Sequence, residues 1–281
     1  MSYRSILLYL DQSPTCDART QAAIRLARRL DCHLAGLAPT GLLDLPGSPG
    51  ATLSDLAALA WDSLRDEAER AADRFRDACV VGGLRSVEAV IDEAEPAASL
   101  IAHAHCSDLT VLTQADPSSP GHRGARAVVE QVLLYSARPT LLLPYACPPH
   151  ALEKIGSKAI VAWDESCEAV RALNDALPLL QQASAVEVVR WNPPRPADGE
   201  PAVPRLDALR QWLAWHGVAA DVRVETTSID IADAMLSHAA DFGADLIVMG
   251  AYGHSRWTER VLGGVTRQLI GSATVPLLMS H

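Results

Sequence analysis

The sequence predicts an α/β protein made of two tandem, doubly wound, mostly parallel sheets of five strands each. Three observations predict it. Short apolar runs alternate along the whole chain with longer stretches of helical apolar period. The same order of runs occurs twice. A Pro/Gly-marked stretch, PYACPPHALEKIGS at 144–157, separates the two passes.

The first pass opens with a strand at 5–10 (SILLYL) and a helix at 17–30, where Ala23, Ala27 and Leu30 share one face. A strand at 33–38 and a Pro/Gly-rich loop at 39–51 follow. A long helix over about 53–79 starts behind Thr52, with Asp55 three residues on in a capping-box pattern. Strand 87–91, helix 96–106, strand 108–113, helix 125–136 and strand 139–143 complete the pass. The second pass begins with strand 158–163 (KAIVAW). Its first helix, 167–181, carries Val170, Leu173, Leu177 and Leu180 at core spacing. Strand 185–191, a Pro-rich loop, helix 204–216, strand 220–226, helix 230–242, strand 245–249, a helix from about 263 and strand 275–279 follow in order.

The repeat can be read residue by residue. A shift of 137 lays Asp108-Leu109-Thr110-Val111-Leu112 on Asp245-Leu246-Ile247-Val248-Met249, and Pro139 on Pro276. The first strands, LLYLDQS (7–13) and IVAWDES (160–166), both end in Asp-x-Ser. The expected domains are therefore 1–146 and 155–281. At 281 residues the chain accommodates both, and each half is long enough to bury its own core.

Composition narrows the function. The net charge of −10 argues against broad phosphate-backbone binding, which needs a basic face, so no nucleic-acid partner is expected. No run reaches eighteen apolar residues, and the apolar run at the N-terminus is too short for a signal peptide; no membrane association is expected. Six scattered cysteines (Cys16, Cys32, Cys79, Cys106, Cys147, Cys167) form no CxxC pair and read as reduced thiols of a cytoplasmic protein.

The segment MGAYGHSRWTERVLGGVTR (249–267) holds the distinctive chemistry. Glycines at 250, 253, 263 and 264 follow a core strand in the layout Gly-x2-Gly-x9-Gly-Gly-Val-Thr. In an open parallel sheet, ligands sit at the carboxyl ends of strands where the strand order reverses. Glycine lets backbone approach a ligand closely, and a helix N-terminus at 263–264 offers free N–H groups to a phosphate. Thr266 adds a hydroxyl. The same glycines also suit a plain loop, as turn residues and a helix cap. The pattern is neither a P-loop nor GxGxxG.

The duplicated unit, the Asp that ends each first strand and this glycine spacing resemble the universal stress protein (UspA-like) family in its tandem form. The resemblance spans essentially the whole chain and is most specific over 245–279. It implies a Rossmann-like fold related to the adenine-nucleotide alpha-hydrolases, a role in survival under stress, and binding of ATP or another adenine nucleotide, with magnesium as an accompanying ion. ATP-binding members carry Gly-x2-Gly-x9-Gly-Ser/Thr. Gly250, Gly253 and Gly263 match, and Gly264 stands where a hydroxyl residue is usual. By the same resemblance Asp164 faces the ribose or adenine end. Ala162 and Met249 line the base pocket, and Gly250, Gly253, Gly263, Gly264, Val265 and Thr266 hold phosphates. Nucleotide would order the 250–264 loop and change the surface offered to a partner. The two units would pair within the chain, with room left for a homodimer. A nucleotide-free interaction scaffold is the alternative.

In the first half the shift of 137 replaces Gly250, Gly253, Gly263 and Gly264 by Thr113, Asp116, Arg126 and Ala127. The backbone cradle is gone and Asp116 adds negative charge, so the N-terminal site is expected to be degenerate, although Arg123 and Arg126 could attract an anion. Asp11 suits either a loop cap or a ligand contact. His103, His105 and Cys106 are metal-type ligands, but positions i and i+2 of a helix point about 200° apart, so no metal site is expected. His254, Arg256 and Arg260 suit either phosphate or solvent. Trp212 and Trp215, with Leu209, read as core or interdomain contacts, and Ser13 and Ser166 as helix N-caps. No catalytic residues are identified: the chain lacks G-x-S-x-G, H-E-x-x-H and a cleft carboxylate pair. AMP-forming ligases of related architecture carry Ser-Gly-Gly-x-Asp-Ser, where this chain has Asp-Gln-Ser-Pro and Asp-Glu-Ser-Cys.

Overall fold

A computed structural model of the chain describes residues 2–41, 54–192, 204–253 and 264–281. It forms two compact units, Tyr3–Arg138 and Pro139–His281. The first unit runs β1 (Ser5–Tyr9), α1 (Cys16–Leu30), β2 (His33–Pro39), α2 (Ser54–Val81), β3 (Val87–Asp92), α3 (Pro96–Ala104), β4 (Leu109–Thr113) and α4 (His122–Tyr135). All its described pairings are parallel, in the order β3-β2-β1-β4. The chain therefore reverses direction of travel between β1 and β4.

The second unit starts with β5 (Thr140–Leu143) and a single 3-10 turn at Pro149–Leu152. It continues through β6 (Lys158–Ala162), α5 (Cys167–Leu180), β7 (Ala185–Trp191), α6 (Pro204–Trp215) and β8 (Ala220–Glu225). The last elements are α7 (Ile231–Phe242), β9 (Leu246–Gly250), α8 (Gly264–Ser272) and β10 (Leu277–Ser280). Its order is β5-β10-β9-β6-β7-β8. Five strands are parallel, and β5 runs antiparallel to β10, with Leu142 opposite Leu277 and Leu141 opposite Leu278. Both strands are buried along their length, which explains their continuous apolar reading. The reversal in this unit falls between β6 and β9.

The duplication extends to fine structure. Asp108 accepts from the backbone N–H groups of Arg4 (2.7 Å) and Ser5 (3.0 Å), tying down the start of β1. Its repeat partner Asp245 accepts from Gly156 (2.8 Å), Ser157 (3.2 Å) and Lys158 (3.1 Å) at the start of β6. Each carboxylate thereby satisfies strand-end donors that would otherwise lack a partner.

Several expectations need correction. Ser13 is not the cap of α1: Pro14 intervenes, the helix starts at Cys16 behind Thr15, and the Ser13 hydroxyl instead donates to Asp11 at 2.6 Å. Val170 lies on the outer side of α5, 43% exposed, while Leu173, Leu177 and Leu180 are buried as expected. Trp215 is 76% exposed and is not core; Trp212 is half-buried and packs on His216 at 4.3 Å between ring centroids. Helix α4 begins at His122, ahead of the expected 125. Thr52 lies outside the described residues. No helix among those residues is long and apolar enough to cross a membrane.

Candidate functional site

The reversal between β6 and β9 opens a cavity of about 420 Å³ at the carboxyl ends of the strands. That volume falls within the range of small-molecule and cofactor sites. Ala162 and Asp164, on the exit from β6, form one side of it, and Met249, Gly250 and Gly253, on the exit from β9, form another. Gly264, Val265 and Thr266, the first turn of α8, close the end. The structure thus brings together eight of the residues singled out in the sequence. Gly263 lies outside the described residues, as do His254, Arg256 and Arg260.

Local chemistry shapes each wall. The Asp164 carboxylate accepts from the N–H of Ser166 at 3.0 Å, which turns the chain sharply into α5. Ser166 is the N-cap expected of it, accepting from the N–H of Ala169 at 3.1 Å. Gly250 runs directly against this first turn. A Cβ there would lie 2.6 Å from the backbone nitrogen of Ala169 and 2.7 Å from the carbonyl carbon of Glu168. The glycine is needed for the packing of α5 on β9, whatever the cavity holds. At Gly253 a Cβ would stand 3.0 Å from a Glu168 carboxylate oxygen and 3.3 Å from the Ser166 hydroxyl. At Gly264 it would meet nothing within 4 Å.

The hydroxyl of Thr266 accepts from the N–H of Tyr252 at 3.2 Å and so holds the β9 loop onto α8. Tyr252 itself sits at φ +61°. The first N–H groups of α8 have no carbonyl partners within the helix, so this end of the cavity suits negative charge.

Sequence reasoning missed the opposite wall, which Trp163, Arg190, Trp191, Asn192, Ile231 and Met235 build. Arg190 makes a two-pronged ion pair with Glu165, both N–O distances 3.1 Å. Glu165 adopts a left-handed conformation, φ +66°, to reach it. Trp191 stands edge-on to His238 at 6.0 Å; His238 in turn contacts the buried Glu187 at 2.7 Å. Asn192 exchanges two hydrogen bonds with the backbone of Thr227, at 2.9 and 2.8 Å, which fixes the rim. Trp163 comes from the exit of β6, Arg190, Trp191 and Asn192 from the end of β7, and Ile231 and Met235 from the first turns of α7. The one signal in the sequence was topological: β7 neighbours β6, so its carboxyl end must border any β6–β9 crevice.

Other candidates disperse. His103 faces Asp92 at 3.6 Å, while His105 and Cys106 are exposed beyond the end of α3. No group of three metal-type ligands occurs among the described residues. Arg126 pairs with Glu130 at 2.9 Å, Arg123 is exposed, and Asp116 is held by Ser118 at 2.8 and 2.7 Å.

The second unit is thus a doubly wound α/β domain with a ligand-sized cavity at its topological switch point. Through residues 156–281 the chain matches the model of the universal stress protein family. Its fold is similar over 98% of its length to a universal stress protein from Archaeoglobus fulgidus DSM 4304, at 16% identity, 97% coverage of that chain and a TM-score of 0.73. A functionally unknown protein from Pseudomonas aeruginosa PAO1 is similar over 99% of this chain and 92% of its own, at 14% identity and a TM-score of 0.55. These likenesses show the fold. A search of curated proteins finds no match.

Proposed function

We propose that the C-terminal unit binds an adenine nucleotide, with ATP as the first candidate, and that the protein acts in a stress response through nucleotide-coupled regulation or partner binding. The observation that carries this reading is the convergence of Asp164, the β9 glycines and the α8 N-terminus on one cavity of about 420 Å³. The cavity offers three kinds of chemistry where a nucleotide needs them. The Asp164 carboxylate can accept from ribose hydroxyls. Ala162, Met235 and Met249 give apolar flanks for a flat base, and the N–H groups at the start of α8 suit phosphate oxygens. Magnesium would accompany the phosphates. We assign no hydrolytic role to any lining residue.

The test uses the protein as purified, with no nucleotide added. It is denatured, the chain is removed, and the supernatant is analysed by ion-pair chromatography beside a Gly253→Trp control. The expected result is about one adenine nucleotide per chain, absent from the control. An empty protein that also fails to take up ATP, ADP or AMP in calorimetry would overturn the reading. A second reading, a nucleotide-free scaffold, draws on Gly250 and Thr266, whose packing and hydrogen-bonding duties explain them without a ligand. In that case Gly253→Trp leaves partner binding unchanged.

A further inference from the structure

The two units come from one repeat, yet the crevice between β1 and β4 differs in kind from that between β6 and β9. Arg19 on α1 is 1% exposed, and its guanidinium lies among the strand ends of the first unit. Its Nε donates to the carbonyl of Tyr9 at 2.9 Å, at the end of β1. One Nη donates to the Thr113 hydroxyl at 2.9 Å, at the end of β4, and the other to Asp11 at 2.6 Å. The guanidinium also lies 5.5 Å from the centre of the Tyr9 ring.

The partners matter because of where they stand in the repeat. By the Asp-x-Ser match, Tyr9 and Asp11 correspond to Ala162 and Asp164; by the shift of 137, Thr113 corresponds to Gly250. All three counterparts line the open cavity of the second unit. By the same Asp-x-Ser match Arg19 corresponds to Ala172 of α5, a buried alanine. Small residues leave the space open in one unit; a long cation fills it in the other.

We infer that the β1–β4 crevice is a guanidinium site whose occupant is the chain's own Arg19, held by Asp11, Thr113 and the Tyr9 carbonyl. The site recognises a planar cation, not a nucleotide, since its three acceptors match a guanidinium fork, and the Asp11 carboxylate and Tyr9 carbonyl would repel phosphate. Burial opposes the charge on Arg19, but Asp11 at close range, with Cys16 and Tyr9 adding to it, more than offsets this, so the group stays protonated. Burial, with the Asp11 charge added, likewise keeps the Tyr9 phenol protonated. The inference does not depend on nucleotide binding in the second unit.

The experiment is chemical rescue. Arg19→Ala removes the occupant and leaves its acceptors in place. Thermal melting of this variant is followed with increasing millimolar guanidinium or methylguanidinium chloride, against sodium chloride at equal ionic strength. The expected result is a lowered melting temperature that rises saturably with either guanidinium ion and not with sodium, while wild type only falls. Arg19→Met, which fills the space without donors, should be destabilised and show no rescue. Melting of Arg19→Ala at the wild-type temperature, or identical responses to guanidinium and sodium, would overturn the inference. Should Arg19→Ala fail to fold, the wild-type Arg19 Nε–H is observed directly by nitrogen-15 NMR. Slow exchange with solvent is expected there, and fast exchange would refute the site.

Discussion

Gly250 and Gly264 belong to one sequence pattern, but the structure gives them different duties, and substitution should separate them. Adding a methyl group at Gly250 would place it 2.6 Å from the Ala169 nitrogen, 2.7 Å from the Glu168 carbonyl carbon and 2.8 Å from the Glu168 Cβ. The first two contacts are with helix backbone, so no side-chain rotation can relieve them. The first turn of α5 must move away from β9, an overpacking that costs about 1–3 kcal/mol. The movement also strains the Ser166 cap, whose acceptor bond is to that same Ala169 nitrogen at 3.1 Å; a cap contributes about 1 kcal/mol. At about 2–4 °C per kcal/mol for a domain of this size, Gly250→Ala should melt several degrees below wild type. Gly264→Ser meets open space and exchanges glycine for a better helix residue, worth about 0.5 kcal/mol. It should hold or raise the melting temperature, and under the proposed function it should also tighten nucleotide binding by returning a hydroxyl to the α8 turn. Calorimetric melting of both variants is the assay. Equal melting of Gly250→Ala and wild type would refute the packing role, and a loss at Gly264→Ser as large as at Gly250→Ala would refute the distinction between them.

Three further outcomes follow from local chemistry. Burial pushes the Cys79 thiol up to about 11 and, helped by the carboxylates of Asp108 and Asp31, the Cys32 thiol to about 11 as well, whereas Cys106 and Cys167 are exposed. Alkylation near neutral pH, mapped by mass spectrometry, should therefore mark Cys106 and Cys167 first; modification of Cys79 at the rate of Cys106 would contradict the burial argument. The buried Ser99 hydroxyl donates to Asp92 at 2.5 Å and is the main reason the Asp92 carboxyl titrates below its ordinary value. A depressed folded value means stability present above the ordinary carboxyl range and lost as pH falls through the folded one. Ser99→Ala should cost about 1.5–3 kcal/mol at neutral pH and less in strong acid, and an equal cost in denaturant melts at both pH values would rule this out. Glu165→Gln removes the charge that neutralises Arg190 in the cavity wall. Affinity for an anionic nucleotide should rise by up to about tenfold, on the order of 1.4 kcal/mol, and calorimetry showing no gain would mean that Arg190 does not reach the ligand.

The parts of the molecule legible in the sequence are those set by local pattern. Strand β9 reads as a strand because Leu246, Ile247 and Val248 are buried on both faces, and the β6 exit reads as a turn because Asp164 and Ser166 carry its hydrogen bonds. Ser166 is the cap its sequence suggests and Ser13 is not, for one reason: the two Asp-x-Ser exits look alike, but Pro14 and Thr15 delay α1 to Cys16, leaving Ser13 two residues short of the cap position. The Arg190–Asn192 wall was invisible because it comes from a strand end that only the sheet order brings to the crevice. Trp215 reads as core because aromatic size suggests burial, while its side chain lies on the exposed side of α6.

Arg19 is legible in the helical period of α1. It stands four residues before Ala23 and eight before Ala27, on the very face those alanines assign to the core. An arginine on that face must bring its own acceptors, because a buried charge without partners is costly. The acceptors supplied are the three groups at the ends of β1 and β4, where the second unit keeps its cavity. The same aspartate therefore serves two ends in one chain. Asp11 is consumed internally by Arg19, and Asp164 lines an open cavity. What separates a filled crevice from an open one is thus a few side-chain sizes, Arg19, Tyr9 and Thr113 against alanines and Gly250, on a backbone topology that the two units share.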